Sequence, residues 1–350
     1  MTVSLTDFIS QLFSNPALLI TTILTLAVIL VNGWTDAPNA IATCVSTRSM
    51  SPKAAIIMAA IFNFLGVLVM TMFNAKVAMT IYNMVDFKGD SNVALIALCV
   101  AMFAIVIWAT AAWWFGIPTS ESHALIAGVS GAAIAFQGGI GGINMSEWVK
   151  VLYGLVLSIV LGFIVGWIVV KATELSCKRV DKSKTYGVFK FAQNAGGAGM
   201  AFMHGAQDGQ KFMGVFMLGI FLARGQGTVT EFSIPLWLII LCSAVMALGT
   251  SIGGYRIIKA VGMDMVKLEP YQGFAACMAG IICLFTASTF GLPVSTTHTK
   301  TTAMMGVGAA KRVSAVDWRV VKDMMAAWFL TFPGCGLIAY LMVILFTKIL

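Results

Sequence analysis

Ten stretches nearly free of charged residues run the length of this chain, at 17–47, 54–75, 92–114, 115–136, 147–170, 190–222, 232–255, 271–290, 291–310 and 323–347. A helix needs about 20 apolar residues to cross the hydrocarbon of a bilayer, and each stretch is at least that long. A water-soluble globule could not hide so much aliphatic side chain, because its own exterior would have to be apolar. Only 10% of the 350 residues are charged, against about 25% in an ordinary soluble domain. The chain reads as an all-α polytopic membrane protein. The same figures argue against a secreted enzyme, a disulfide scaffold and a nucleic-acid binder. The seven cysteines lie scattered in apolar stretches with no CxxC spacing, so they read as small buried hydrophobes. The segment ahead of Ala17 lacks a cationic n-region and the apolar run that follows is too long for a cleaved signal, so no targeting peptide is expected.

The net charge of +8 follows the two sides of a membrane. With 171–189 placed in the cytoplasm, fifteen of the 22 Lys and Arg fall inside, and Lys76, Lys88, Lys150, Arg224 and Lys348 fall outside. This positive-inside bias places the chain in the cytoplasmic membrane with both termini outside. Lys211 and Lys300 are left within the membrane itself.

The chain also repeats. Gly33-Trp-Thr-Asp36 is answered by Gly205-Ala-Gln-Asp208, and Phe115-Gly-Ile-Pro-Thr-Ser-Glu-Ser-His123 is answered, at nearly the same offset, by Phe290-Gly-Leu-Pro-Val-Ser-Thr-Thr-His298. Residues 1–170 form a first half (signature 32–40, hairpin 115–136), 171–189 a basic linker, and 190–350 a second half (signature 204–214, hairpin 290–310). Five segments per half is an odd number, so the halves enter the membrane from opposite sides. That predicts an inverted-topology repeat, with broken or re-entrant helices at the Gly/Pro joints carrying the substrate site, a common build for secondary transporters.

Ionisable side chains within spans are costly and therefore informative. Here they are Asp36, Glu121, His123, His204, Asp208, Lys211, His298 and Lys300, all inside the repeated motifs. Asp36 and Asp208 sit among Asn32, Thr35, Asn39, Gln207 and Gln210; such oxygens suit a hard cation such as Na+, and a desolvated carboxylate can alternatively carry a proton. Thr119, Ser120 and Ser122, and Ser295, Thr296 and Thr297, follow Gly/Pro breaks where new helices start. Helix N-termini with hydroxyl donors make an oxyanion site, and two converging would grip a small tetrahedral anion. Lys211 and Lys300 face Asn39 and Leu125 in the repeat; each could hold the anion, pair with Asp208 or Glu121, or snorkel. Glu121, opposite Thr296, is a proton-sensitive candidate in one half. His123 and His298 could bind the anion or orient the hydroxyls. No nucleotide loop, dinucleotide fingerprint or nucleophile elbow is present in the sequence, and no cofactor is expected.

These motifs resemble those of the inorganic phosphate transporter (PiT) family, of the bacterial low-affinity permease type, whose Gly-Ala-Asn-Asp-type signature occurs once per half. The resemblance runs from about residue 30 to 310 and rests on Gly33-Trp-Thr-Asp36-Ala-Pro-Asn39-Ala, His204-Gly-Ala-Gln-Asp208-Gly-Gln-Lys211 and the two Pro-x-Ser-x-(Ser/Thr)-His segments. It implies a homodimer that moves phosphate, in some members as a metal–phosphate complex, together with Na+ or H+. It implicates Asp36, Asn39 and Asp208, with Ser120, Ser122, Ser295, Thr296 and Thr297 in the hairpins. The chain departs from the pattern at Trp34-Thr35, where Ala-Asn is usual, at Gln207, which replaces the second Asn, and at Pro38.

The expectation is cation symport of inorganic phosphate, with cations near Asp36 and Asp208 pre-forming the anion site. The alternative is a sulfate permease on the same scaffold. A hydrolase would need one asymmetric nucleophile and base, and a passive channel would not need paired carboxylates.

Overall fold

The computed structural model describes residues 3–117, 119–226, 229 and 232–349; Pro118 of the first hairpin motif and the Lys348 side chain of the outer basic set lie outside the described residues. The α-helices are α1 (Leu5–Ser14), α2 (Pro16–Thr35), α3 (Pro38–Ser46), α4 (Pro52–Phe73), α5 (Lys76–Asn83), α6 (Ser91–Trp114), α7 (Glu121–Gln137), α8 (Met145–Ser176), α9 (Lys182–Ala223), α10 (Leu236–Ile252), α11 (Tyr255–Lys259), α12 (Pro270–Phe290), α13 (Thr296–Lys311) and α14 (Trp318–Ile349). Their starts are written locally. Pro16, Pro38, Pro52 and Pro270 occupy first turns, where a missing N–H is harmless. Ser51, Asp90, Ser120, Asn144 and Ser295 cap with side-chain oxygens.

The same succession of elements occurs twice. An Asp-bearing helix (α2–α3, then α9) is followed by an apolar helix (α4, α10), a short helix (α5, α11), an apolar span (α6, α12), a half-length helix (α7, α13), a 3-10 turn and a 32-residue helix (α8, α14). Even the isolated backbone bridges correspond, Val85 with Ile143 and Val266 with Val316. The halves interlock: α4 packs on α9 and α10 on α2, while α7 lies against α14 and α13 against α8.

Among the described residues six helical segments, with α2–α3 taken as one, are long and apolar enough to cross a membrane, and a seventh is counted if α10 and the bent α11 region are taken as one span. The chain is a multi-pass membrane protein. α7 and α13 have 17 and 16 residues, short of the ~20 a crossing needs, and their N-caps Ser120 and Ser295 are fully buried. Each follows a left-handed glycine, Gly116 (φ 69°) or Gly291 (φ 70°), that ends the preceding span.

Several boundaries differ from the hydropathy reading. The segment 232–255 ends at Ile252, where Gly253 (φ 79°) leads into a 67° bend. The basic linker 171–189 is mostly helix, since α8 runs to Ser176 and α9 starts at Lys182; Lys and Glu are good helix formers, so helices outrun their apolar zones. The amphipathic α1 carries no span signal, yet it docks by stacking Phe8 on Trp237.

The signature glycines set the closest approaches. A Cβ on Gly33 would lie 2.6 Å from the Met246 carbonyl oxygen of α10, and one on Gly205 would press closer still on the Asn63 carbonyl oxygen of α4. Backbone cannot yield as a side-chain tip does. Gly205→Val is therefore expected to cost about 3 kcal/mol, the upper end of overpacking penalties, read as a lowered melting temperature of the detergent-purified protein. An unchanged melting temperature would show that α4 and α9 can part without loss.

Candidate functional site

The two half-length helices meet head to head. Ser120 Oγ and Ser295 Oγ are 2.8 Å apart, and each also accepts the backbone N–H three residues on, from His123 (3.4 Å) and His298 (3.1 Å). Two helix N-termini with their positive dipole ends thus face one another inside the protein. The signature aspartates close this point from the other side: one ligand atom each of Asp36, His204 and Asp208 lie within 4.8 Å of one another. Every one of these side chains is buried.

Each aspartate meets the hairpin of the opposite half. The Thr297 hydroxyl donates to Asp36 Oδ1, and Ser122 Oγ donates to Asp208 Oδ1 at 3.3 Å. Beyond that the two aspartates differ sharply. Asp208 Oδ1 also takes Lys211 Nζ at 2.5 Å, and its Oδ2 takes Thr296 Oγ1 at 3.0 Å, Asn32 Nδ2 at 3.4 Å and the edge of His204, with Nε2 at 3.3 Å. Asp36 Oδ1 also accepts from Asn39 Nδ2 at 2.9 Å, but its Oδ2 has no hydrogen-bond donor, and neither has Asn39 Oδ1 or Glu121 Oε2. The Glu121 carboxyl lies within hydrogen-bond reach of the Asp36 carboxyl, so these oxygens are bare when both groups are ionised and one shared proton would join them; Glu121 Oε1 also takes the Thr35 hydroxyl at 2.6 Å. Pro38 explains part of the contrast. It has no N–H for the Trp34 carbonyl, so α2 stops at Thr35, whereas α9 runs through the second signature unbroken.

The remaining sequence candidates fall away from this centre. Lys300 Nζ reaches Cys277 Sγ at 2.9 Å and Thr43 Oγ1 at 3.4 Å, so it pairs with neither Asp208 nor Glu121. Gln207 Nε2 bonds Ser288 Oγ (2.9 Å) and the Leu292 carbonyl (3.3 Å), where it braces the second hairpin. His123 and His298 meet edge to face with ring centroids 4.2 Å apart, and His123 Nδ1 lies 3.5 Å from the Trp328 carbonyl. Thr119 is buried beside the first N-cap. The sequence marks His204 as an informative intramembrane group but assigns it no role in the site. Its counterpart in the first half is Asn32, at the same offset that relates Asp208 to Asp36, and both His204 and Asn32 reach Asp208 Oδ2. Asn63 Oδ1, 2.9 Å from His204 Nδ1, holds that ring, and Asn63 is itself held by Thr250 at 3.0 Å.

Comparison with known proteins gives a consistent result. A family model described as "Phosphate transporter family" matches residues 32–339. A relative from Bacillus subtilis named "Probable low-affinity inorganic phosphate transporter" is 37% identical over 330 residues, 92% of this chain and 97% of its own. One of the same name from Rhizobium meliloti is 40% identical over 321 residues, covering 89% of this chain and 90% of its own. Among solved structures, "The sodium-dependent phosphate transporter" superposes with a TM-score of 0.86 at 23% identity, over 96% of this chain and all of that one.

Proposed function

The chain belongs to the phosphate transporter family, and from that premise we propose that it carries inorganic phosphate across the cytoplasmic membrane in symport with Na+ taken up beside Asp36. The observation that carries this reading is the set of bare, buried oxygens Asp36 Oδ2, Asn39 Oδ1 and Glu121 Oε2, on side chains that meet at Asp36. Buried acceptors are almost always satisfied, and an all-oxygen set at a helix break is what a hard monovalent cation takes. The Asp208 region does not fit a second Na+, because Lys211 Nζ already stands against its carboxylate. The two halves are read as an inverted repeat whose pseudo-twofold centre lies between the two aspartates.

Electrostatics make the cation necessary. Three carboxyl groups, Asp36, Glu121 and Asp208, lie close together, only Asp208 among them is paired with a lysine, and phosphate brings further negative charge. Two like charges 4 Å apart repel by about 4 kcal/mol at an effective dielectric constant of 20, so the anion enters only once the excess is cancelled. The hydroxyls supply the coupling. In this structure Thr297 donates to Asp36, and Ser122 and Thr296 donate to Asp208. A cation on Asp36 competes for those lone pairs and frees Thr297 to turn toward an anion at the facing N-termini of α7 and α13. Substrate and cation then bind cooperatively through a shared hydroxyl.

The test is uptake of labelled phosphate into proteoliposomes under an imposed Na+ gradient in one arm and an imposed pH gradient in the other. Accumulation driven by Na+ alone is the expected result. Accumulation driven by the pH gradient alone would transfer the coupling role to a proton shared by Asp36 and Glu121. Sulfate accumulation with no phosphate uptake in either arm would overturn the substrate assignment.

A further inference from the structure

We infer that the Lys211 ammonium is a tethered cation that permanently occupies the second-half ion position, so that this chain exchanges one fewer cation per cycle than its two signature aspartates would otherwise hold.

The repeat locates the position. Lys211 corresponds to Asn39 at the same offset that relates Asp208 to Asp36. In the first half Asn39 leaves its own Oδ1 and the outer oxygen of Asp36 bare. In the second half Lys211 Nζ sits among Asp208 Oδ1 (2.5 Å), Ser122 Oγ (2.6 Å) and the Val294 carbonyl (2.6 Å). A carboxylate, a hydroxyl and a main-chain carbonyl from the unwound stretch before Ser295 are the ligand types a Na+ would take at a broken helix. The three donors of an ammonium match these three oxygens one for one, so none is left over to hold the anion. Lys211 is fully buried, which removes snorkelling as a reading. The charges differ between the halves in the same sense. Asp36 faces Glu121, while Asp208 faces Thr296 at the position equivalent to Glu121. One half carries an uncompensated pair of acids and the other a neutral pair, so exchangeable cations are drawn to the Asp36 side only.

This deepens the cation-symport reading and relies on it only for the consequence on stoichiometry. The experiment counts ions directly, without transport: equilibrium binding of labelled Na+ to the detergent-purified protein, with the Na+ dependence of the melting temperature as a second readout. Lys211→Asn, which restores the first-half residue, is expected to bind one more Na+ per protomer than the wild type and to gain a Na+-dependent rise in melting temperature. Lys211→Arg, which keeps the charge, is expected to match the wild type. The double variant Asp208→Asn/Lys211→Asn should lose the added site. An unchanged Na+ count in a folded Lys211→Asn overturns the inference. Should that variant not fold, Asp36→Asn decides: the inference expects it to bind no Na+ at the signature pair, and any Na+ it still binds that is lost when Asp208→Asn/Lys211→Met, which removes both charges of the second pair, is added to it refutes the inference. A wild type that binds no Na+ together with a Lys211→Asn that binds one would uphold Lys211 as the tethered cation while overturning Na+ coupling.

Discussion

Asp36→Asn is expected to weaken cation binding by about a thousandfold and to abolish measurable phosphate accumulation, while the protein still folds and inserts. The magnitude comes from removing one charge about 4 Å from a bound cation, worth about 4 kcal/mol at an effective dielectric constant of 20, with every 1.4 kcal/mol a factor of ten. Folding should survive because asparagine keeps an oxygen for Asn39 and Thr297, and because the change relieves like-charge crowding against Glu121 and Asp208. Cation-driven uptake in proteoliposomes and size-exclusion behaviour of the purified variant check both halves of the statement. Near-normal accumulation would remove Asp36 from the coupling site.

The equivalent change in the other half should behave differently. Asp208→Asn leaves the Lys211 ammonium buried with no carboxylate, and breaking a buried pair by removing one partner costs about 3–5 kcal/mol. The expected result is a large loss of folded protein, seen as a collapse of the melting temperature. Asp208→Asn/Lys211→Met, which removes both charges, should recover most of that stability without recovering transport. Equal stability of Asp36→Asn and Asp208→Asn would show that the two halves carry the same charge balance after all. The contrast between the two substitutions separates a carboxylate that waits for an ion from one that already has its partner.

Much of this was legible in the sequence. The apolar runs required membrane helices, because backbone and side chain alike must suit hydrocarbon. The nearly equal offsets of the two motif pairs announced the duplication, and intramembrane ionisable groups confined to the repeated motifs marked the candidate site. The hydroxyl-rich starts of α7 and α13 followed from Gly/Pro breaks and capping residues, both of which are local signals. What was not legible was long-range pairing. Gln207 reads like Asn32 and Thr35 as a ligand beside a signature aspartate, yet it turns to Ser288 and Leu292. Lys211 and Lys300 read alike as intramembrane cations, yet one grips Asp208 and the other lies on Cys277. His204 gave no sign beyond its repeat partner that Asn63 would aim its ring at the centre.

The sequence alone determined that this chain lives in a membrane, that its motifs occur twice, and that hydroxyls at two helix starts and two carboxylates are its candidate site. These properties are set by periodicity, capping and the cost of charge in hydrocarbon, which depend only on neighbours along the chain. The tertiary structure alone decided that Asp208 is neutralised from within while Asp36 is left open. That outcome depends on where α7 and α13 bring Ser122, Thr296 and the Val294 carbonyl relative to α9, and packing across interlocked halves places those atoms.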